Sequence, residues 1–192
     1  MARPREFDRD TVLEKAMTAF WDHGFESTSL AVLVEHMGIS RASLYDTFGS
    51  KDELFVEAMA RYNEMMHERF LAPLRAPGDP REILQSFLYG MVDQLCAPEG
   101  HTCLVIKAAT SPCKDRGQAG EGLVQCMKTV DDAFHALFVR ARDAGQIESS
   151  RNLRSLSRFF TSVMHGLNVR AGVQADRRIL RELIREALST LD

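Results

Sequence analysis

Apolar residues recur along this chain at intervals of three and four, with no run of strict alternation, so helices are predicted throughout. Asp8 can cap a first helix, which carries Val12, Ala16, Ala19 and Phe20 along one face and closes at Gly24. Thr28 or Ser29 can cap a second, ending near Met37-Gly38, and Ser40 can cap a short third through Tyr45 to Phe48. Ser50 and Glu53 form a capping box for a long fourth helix, predicted to run to about Leu74. Arg75 to Gly78 reads as a loop. Asp79, Pro80 and Glu82 then open a fifth helix that reaches about Cys96. A break at Pro98-Glu99-Gly100 precedes a short helix at about Cys103 to Thr110 and a polar loop around Pro112 to Gly120. Three longer helices follow, near 122–144, 152–173 and 176–191. The expected fold class is all-α, with about nine helices.

The segment from Thr28 to Phe48 narrows that expectation. Leu30, Leu33, Val34 and Met37 give one short helix an inner face. Gly38 supplies the left-handed turn, Ile39 fills the corner, and Leu44 and Phe48 hold the next helix to the core. Two short helices about a tight glycine turn have helix-turn-helix spacing, and the second helix of such a pair fits the major groove of DNA. The residues at its N-terminus are Arg41, Ala42 and Ser43, preceded by the cap Ser40, with Tyr45 and Thr47 further along. Arg41 can pair with guanine or grip a phosphate, Ala42 can meet a thymine methyl, and Ser43 can bond a base or phosphate. Tyr45 and Lys51 suit phosphates, as do Thr28 and Ser29 at a helix start. Arg3 and Arg5 flank Pro4 in an N-terminal arm that can reach the minor groove.

Charge argues mildly the other way. The 192-residue chain has a net charge of −3, and residues 1–51 hold six basic against eight acidic side chains. A binder of this kind depends on where its few cations sit. A structural pair of helices without DNA contacts is the alternative at this level.

The pattern does not stop at the turn. Phe20, Gly24-Phe25 and Thr28-Ser29 continue into Met37-Gly38-Ile39-Ser40, Ser43-Leu44-Tyr45, Phe48-Gly49-Ser50-Lys51 and Leu54. Over about residues 3–60, with an Arg-Pro-Arg-Glu-Phe-Asp opening, the chain resembles the head of the TetR family of bacterial transcriptional regulators. Two positions depart from it: Val34 stands where alanine is usual, and Thr47 stands where histidine or tyrosine often precedes the phenylalanine. The resemblance implies a DNA-binding head over 1–50 and a helical effector-binding and dimerisation domain over 51–192. It also implies a regulator, most often a repressor, that leaves a palindromic double-stranded operator when a small-molecule effector binds. No cofactor is expected.

The rest of the chain fits a body of that kind. Leu153, Leu156, Phe160, Val163 and Leu167 follow heptad-like spacing, and Leu180, Leu183, Ile184 and Ala187 line the last helix. A homodimer seam is expected at Leu156, Phe160, Val163, Leu167, Leu180, Leu183, Ile184 and Ala187, although the same faces can cover the body's own core. Candidate effector-pocket residues are Tyr62, Met66, Phe70, Met91, Cys103, Ile106, Met127, Phe134 and His165. Residue by residue, ordinary core packing is the simpler reading of each.

Four cysteines without close spacing fit a cytoplasmic protein with reduced thiols. Cys96, Cys103 or Cys113, the last beside Lys114 and Arg116, would serve an alternative thiol-based sensor of oxidants or electrophiles. No His/Cys set has metal-ligand spacing, and His101 and His165 read as structural. No apolar run is long enough for a membrane span, and no nucleophile elbow, P-loop or His-Glu-x-x-His motif suggests an enzyme.

Overall fold

The computed structural model describes residues 7–98, 103–111 and 117–192. Arg3, Arg5, His101 and Cys113 lie outside them. Among the described residues there are nine α-helices and no strand: α1 (Arg9–His23), α2 (Leu30–Met37), α3 (Arg41–Phe48), α4 (Lys51–Met65), α5 (Pro80–Leu95), α6 (Leu104–Ala109), α7 (Gln118–Asp143), α8 (Leu153–Val173) and α9 (Arg177–Ser189). The chain divides into two compact units: residues up to Glu64 with Lys107–Gln125, and Met65–Ile106 with Cys126–Asp192. The boundary expected at residue 50 therefore falls inside the first unit.

In that first unit the helix ends are built from the residues that marked them. The Asp8 carboxylate accepts from the Thr11 N–H at 2.7 Å, and the Thr11 side chain and N–H hold its pKa below the usual carboxylate value. Ser29 caps α2 through the Val32 N–H, and Ser40 caps α3 through the Ser43 N–H. Ser50 and Glu53 exchange both bonds of a capping box, at 2.7 and 3.1 Å. Beneath these ends, Phe20, Phe25 and Phe55 form an aromatic cluster with centroids 4.8–6.0 Å apart. Leu33, Met37, Leu44, Phe48 and Leu54 are buried in the same unit.

α4 is shorter than its apolar pattern predicts. It ends at Met65, followed by a π-helical turn over Met66–Phe70 and a 3₁₀ turn over Ala72–Arg75. Leu71 donates to the Met66 carbonyl at 2.8 Å, the wider π register, and Pro73 has no N–H with which to continue an α-ladder.

The second unit is held by Phe87, Phe134, Phe138 and Phe160, whose rings lie 5.2–6.1 Å apart. Arg140 of α7 donates to the carbonyls of Leu74, Ala76 and Gly78, which fixes the segment before α5. Asp79 caps α5 through the Arg81 and Glu82 N–H groups, and the Glu82 N–H, aided by the Gln146 side chain and the Arg81 N–H, holds its carboxyl below the usual range.

The expected dimer seam is corrected here. Leu156, Phe160, Leu167, Leu180, Ile184 and Ala187 are buried in the chain's own core, and Val163 packs partly against it. Leu183 alone of that set is exposed, at 42%. A stripe at 3-4 spacing demands burial without specifying by what, and here α5 and the Phe134 and Phe138 rings of α7 cover it. The outward apolar residues are Phe159, Val169 and Val173 on α8, with Leu183 on α9.

Candidate nucleic-acid interface

The turn between α2 and α3 is set by backbone geometry. Gly38 is left-handed (φ 71°, ψ 30°), and its N–H returns to the Val34 carbonyl at 3.0 Å. Leu44 and Phe48 are buried on one side of α3, which leaves Arg41, Ala42, Tyr45 and Asp46 exposed on the other. Ser43 and Thr47 are half-buried at its edge. Arg41 Nη2 donates to the Tyr45 hydroxyl at 3.5 Å, with its guanidinium carbon 5.7 Å from the ring centre. The pair presents a cation and a phenol side by side. The Ser40 and Ser43 hydroxyls lie 2.9 Å apart.

Lys51 occupies the first position of α4, and its ammonium stands 4.3 Å over the Phe25 ring. That contact holds the charge beside a helix N-terminus, where an anion is favoured. Ser29 is exposed at the start of α2. Thr28 is not available as a phosphate contact, because its side chain is wholly buried and its hydroxyl donates to the Gly24 carbonyl at 2.5 Å. It ties the entry of α2 to the end of α1.

Two supporting cations escaped the sequence reading. Arg9 stacks 4.8 Å from the Phe48 ring centre while pairing with Glu57 at 2.5 Å, which fixes the end of α3. The Lys15 ammonium lies beside the turn, 3.8 Å from where a Cβ on Gly38 would stand. Both belong to α1, whose acidic residues concealed them in a simple charge count.

The expected effector residues do not form one site. Tyr62 belongs to the first unit, where it is buried edge-on against Trp21. Phe134 is wholly buried in the aromatic core of the second unit, and Met127 is 37% exposed. Phe70 and Met91 line an open groove of about 510 Å³, together with Arg69, Ile83, Phe87 and Gln94. Met66 and Ile106 are half-buried elsewhere in the second unit. The Cys103 N–H donates to the Asn168 side chain at 3.2 Å. Burial lowers the pKa of His165, against a smaller opposing pull from Asp131. Burial, with a contribution from Cys103, pushes the Cys126 thiol up to about 12. Among the described residues no group of three or more His, Cys, Asp or Glu side chains can hold a metal ion, and no helix is long and apolar enough to cross a membrane.

Three features define the class. A glycine-turned helix pair, an outward face carrying Arg41 and Tyr45, and a separate helical unit make this a helix-turn-helix regulator. Comparison with known proteins supplies the family. Residues 12–58 match the family model described as bacterial regulatory proteins, tetR family. The chain is 32% identical over 194 residues to the HTH-type transcriptional regulator YezE of Bacillus subtilis, covering all of both chains. It is 28% identical over 192 residues to the HTH-type transcriptional repressor ComR of Escherichia coli, across 98% of this chain and 90% of that one. A cysteine-substituted form of the TetR family regulator CifR, complexed with 26-bp operator DNA, superposes with a TM-score of 0.84 at 33% identity, covering 97% of this chain and 98% of that one. The chain belongs to the TetR family of transcriptional regulators.

Proposed function

We propose that the chain is a repressor that grips a palindromic operator as a homodimer and releases it when a small-molecule effector binds. The observation that carries this reading is the face of α3. Its underside is locked by Leu44 and Phe48, while Arg41, Ala42 and Tyr45 point outward without a covering element among the described residues. In a helix-turn-helix protein that face reads base edges, and one well-placed bidentate arginine discriminates by about 1–3 kcal/mol. Ser29, Ser40, Ser43, Thr47 and Lys51 lie around it as phosphate or base contacts. With an acidic head, affinity rests on these placed groups and on helix N-termini.

Dimerisation is assigned to the outward stripe. At 100° per residue, Phe159, Ser162, Gly166, Val169 and Val173 fall within an arc of about 80° on α8. Phe159, Val169 and Val173 are apolar and 41%, 51% and 87% exposed, and Leu183 adds a fourth apolar group from α9. Two such chains related by a two-fold axis place two α3 helices on half-sites about 34–36 Å apart. The groove beside Phe70 and Met91 has a volume that suits a small effector. An effector preferring a conformer unfit for the operator lowers affinity by that preference.

The test is anisotropy of the purified chain on labelled DNA from its own upstream region. A specific complex at moderate salt, lost on Arg41→Ala or Tyr45→Ala with the dimer intact, supports the proposal. Absence of any complex at low salt overturns it.

A further inference from the structure

His23 ends α1 and His36 lies in the last turn of α2. Their rings meet edge to face, with centroids 6.1 Å apart and planes at 89°. Both side chains are exposed. Among the described residues neither ring takes part in a hydrogen bond or an ion pair, and the two imidazoles meet only each other. The pair is absent from the DNA-reading role argued above, and packing gives little reason for two exposed imidazoles to meet.

We propose that His23 and His36 together form a binding site for a divalent ion of the zinc class, clamping the end of α1 to the end of α2. Neutral imidazole is a good ligand for such ions. With Zn–N bonds of about 2.0–2.1 Å, each ring centroid stands about 3.2 Å from the ion. A tetrahedral angle then separates the centroids by about 5.2 Å, and a more open angle by up to about 6.4 Å. The observed 6.1 Å corresponds to an angle of roughly 145°, so the two exposed rings close by about 0.9 Å to reach the tetrahedral arrangement. Perpendicular ring planes are compatible with two imidazoles on one ion, and each ring turns to aim a nitrogen at it. An exposed ring that gives up no hydrogen bond turns at small cost. No third His, Cys, Asp or Glu joins the pair among the described residues, so water completes the shell. The site is therefore a weak, exchanging one, unlike a closed structural centre.

The clamp acts inside the DNA-binding unit. α1 and α2 pack on one another, and Gly38 begins the turn two residues after His36. An ion that binds only when both helix ends are in place stabilises that arrangement.

The test uses the full chain, stripped with chelator and titrated with zinc chloride alone. At about ten times the dissociation constant, the melting temperature rises by about 3–6 °C. His23→Gln and His36→Gln each remove the rise, while His67→Gln keeps it. In the parent protein, substoichiometric Ni²⁺ broadens the His23 and His36 ring resonances first, a readout that needs no variant to fold. Zinc without effect on the parent overturns the proposal. So does a rise that persists in His23→Gln and His36→Gln, or broadening centred on other histidines.

Discussion

The turn glycine at position 38 permits a sharp test of how the head is built. Its φ of 71° and ψ of 30° are left-handed, and a Cβ added there meets nothing closer than the flexible tip of Lys15 at 3.8 Å. Gly38→Ala therefore pays the backbone penalty alone, about 1–2 kcal/mol. Asparagine tolerates this conformation, so Gly38→Asn costs visibly less, under about 1 kcal/mol. Gly49 makes the contrast. Its φ of 77° and ψ of −102° lie outside the left-handed helical region, and a Cβ there collides with the Glu53 carboxylate that closes the Ser50 capping box. Gly49→Ala adds the loss of that cap to the strain, roughly 2–4 kcal/mol in all, and Gly49→Asn gains nothing over alanine. The assay is urea unfolding at fixed protein concentration, followed by the emission of Trp21. It is the chain's single tryptophan and sits on α1 in the same unit. With a slope of about 1–3 kcal/mol per molar urea, Gly38→Ala lowers the midpoint by roughly 0.3–2 M. The reasoning fails if asparagine is as damaging as alanine at position 38, or if it rescues position 49.

Three further outcomes are expected. Arg41→Ala weakens operator binding by about 1–3 kcal/mol and relaxes the preference at one base pair, whereas Lys51→Ala weakens all sequences alike and flattens the slope of log affinity against log salt by about 1; anisotropy across salt and base-substituted operators separates them. Phe134→Ala, which empties the ring contacting Phe87, Phe138 and Phe160, costs about 3–5 kcal/mol and lowers the melting temperature by roughly 6–20 °C in calorimetry. His165 is held neutral by burial, so its folded pKa lies below the unfolded value near 6.5; its contribution is complete above that value and is lost as pH falls, and His165→Gln therefore flattens the decline in melting temperature between pH 7.5 and 5.5.

The head was legible because local chemistry determines it. Ser29, Gly38, Ser40, Ser50 and Glu53 each satisfy or terminate a helix end within four residues of themselves, so their roles survive without knowledge of the fold. Thr28 failed the same reading because a hydroxyl beside a cap can turn inward, and its partner, the Gly24 carbonyl, belongs to the end of another helix. α4 was overextended for a related reason: Met66 and Phe70 keep an apolar rhythm through a π turn that changes the register without interrupting the pattern.

The body exposes a deeper limit, which is one of phase. Leu156, Phe160 and Leu167 repeat at coiled-coil spacing, yet they bury within one chain, while the outward stripe is the sparser set Phe159, Val169 and Val173. Adjacent positions on a helix differ by 100°, so Phe159 and Phe160 can serve different partners although they are sequence neighbours. The dense stripe marks the side that must lose water first, in folding. A second interface has to be read from what that first burial leaves behind. On α8 the remainder is three large apolar side chains around Gly166, where an added Cβ would meet nothing within 4 Å, so a partner helix can approach closely there. Spacing alone does not pick out these residues, because their polar neighbours Ser162 and Arg170 interrupt the run. A moderately polar face with a few large anchors is the composition expected of a surface that is first exposed to water and then covered.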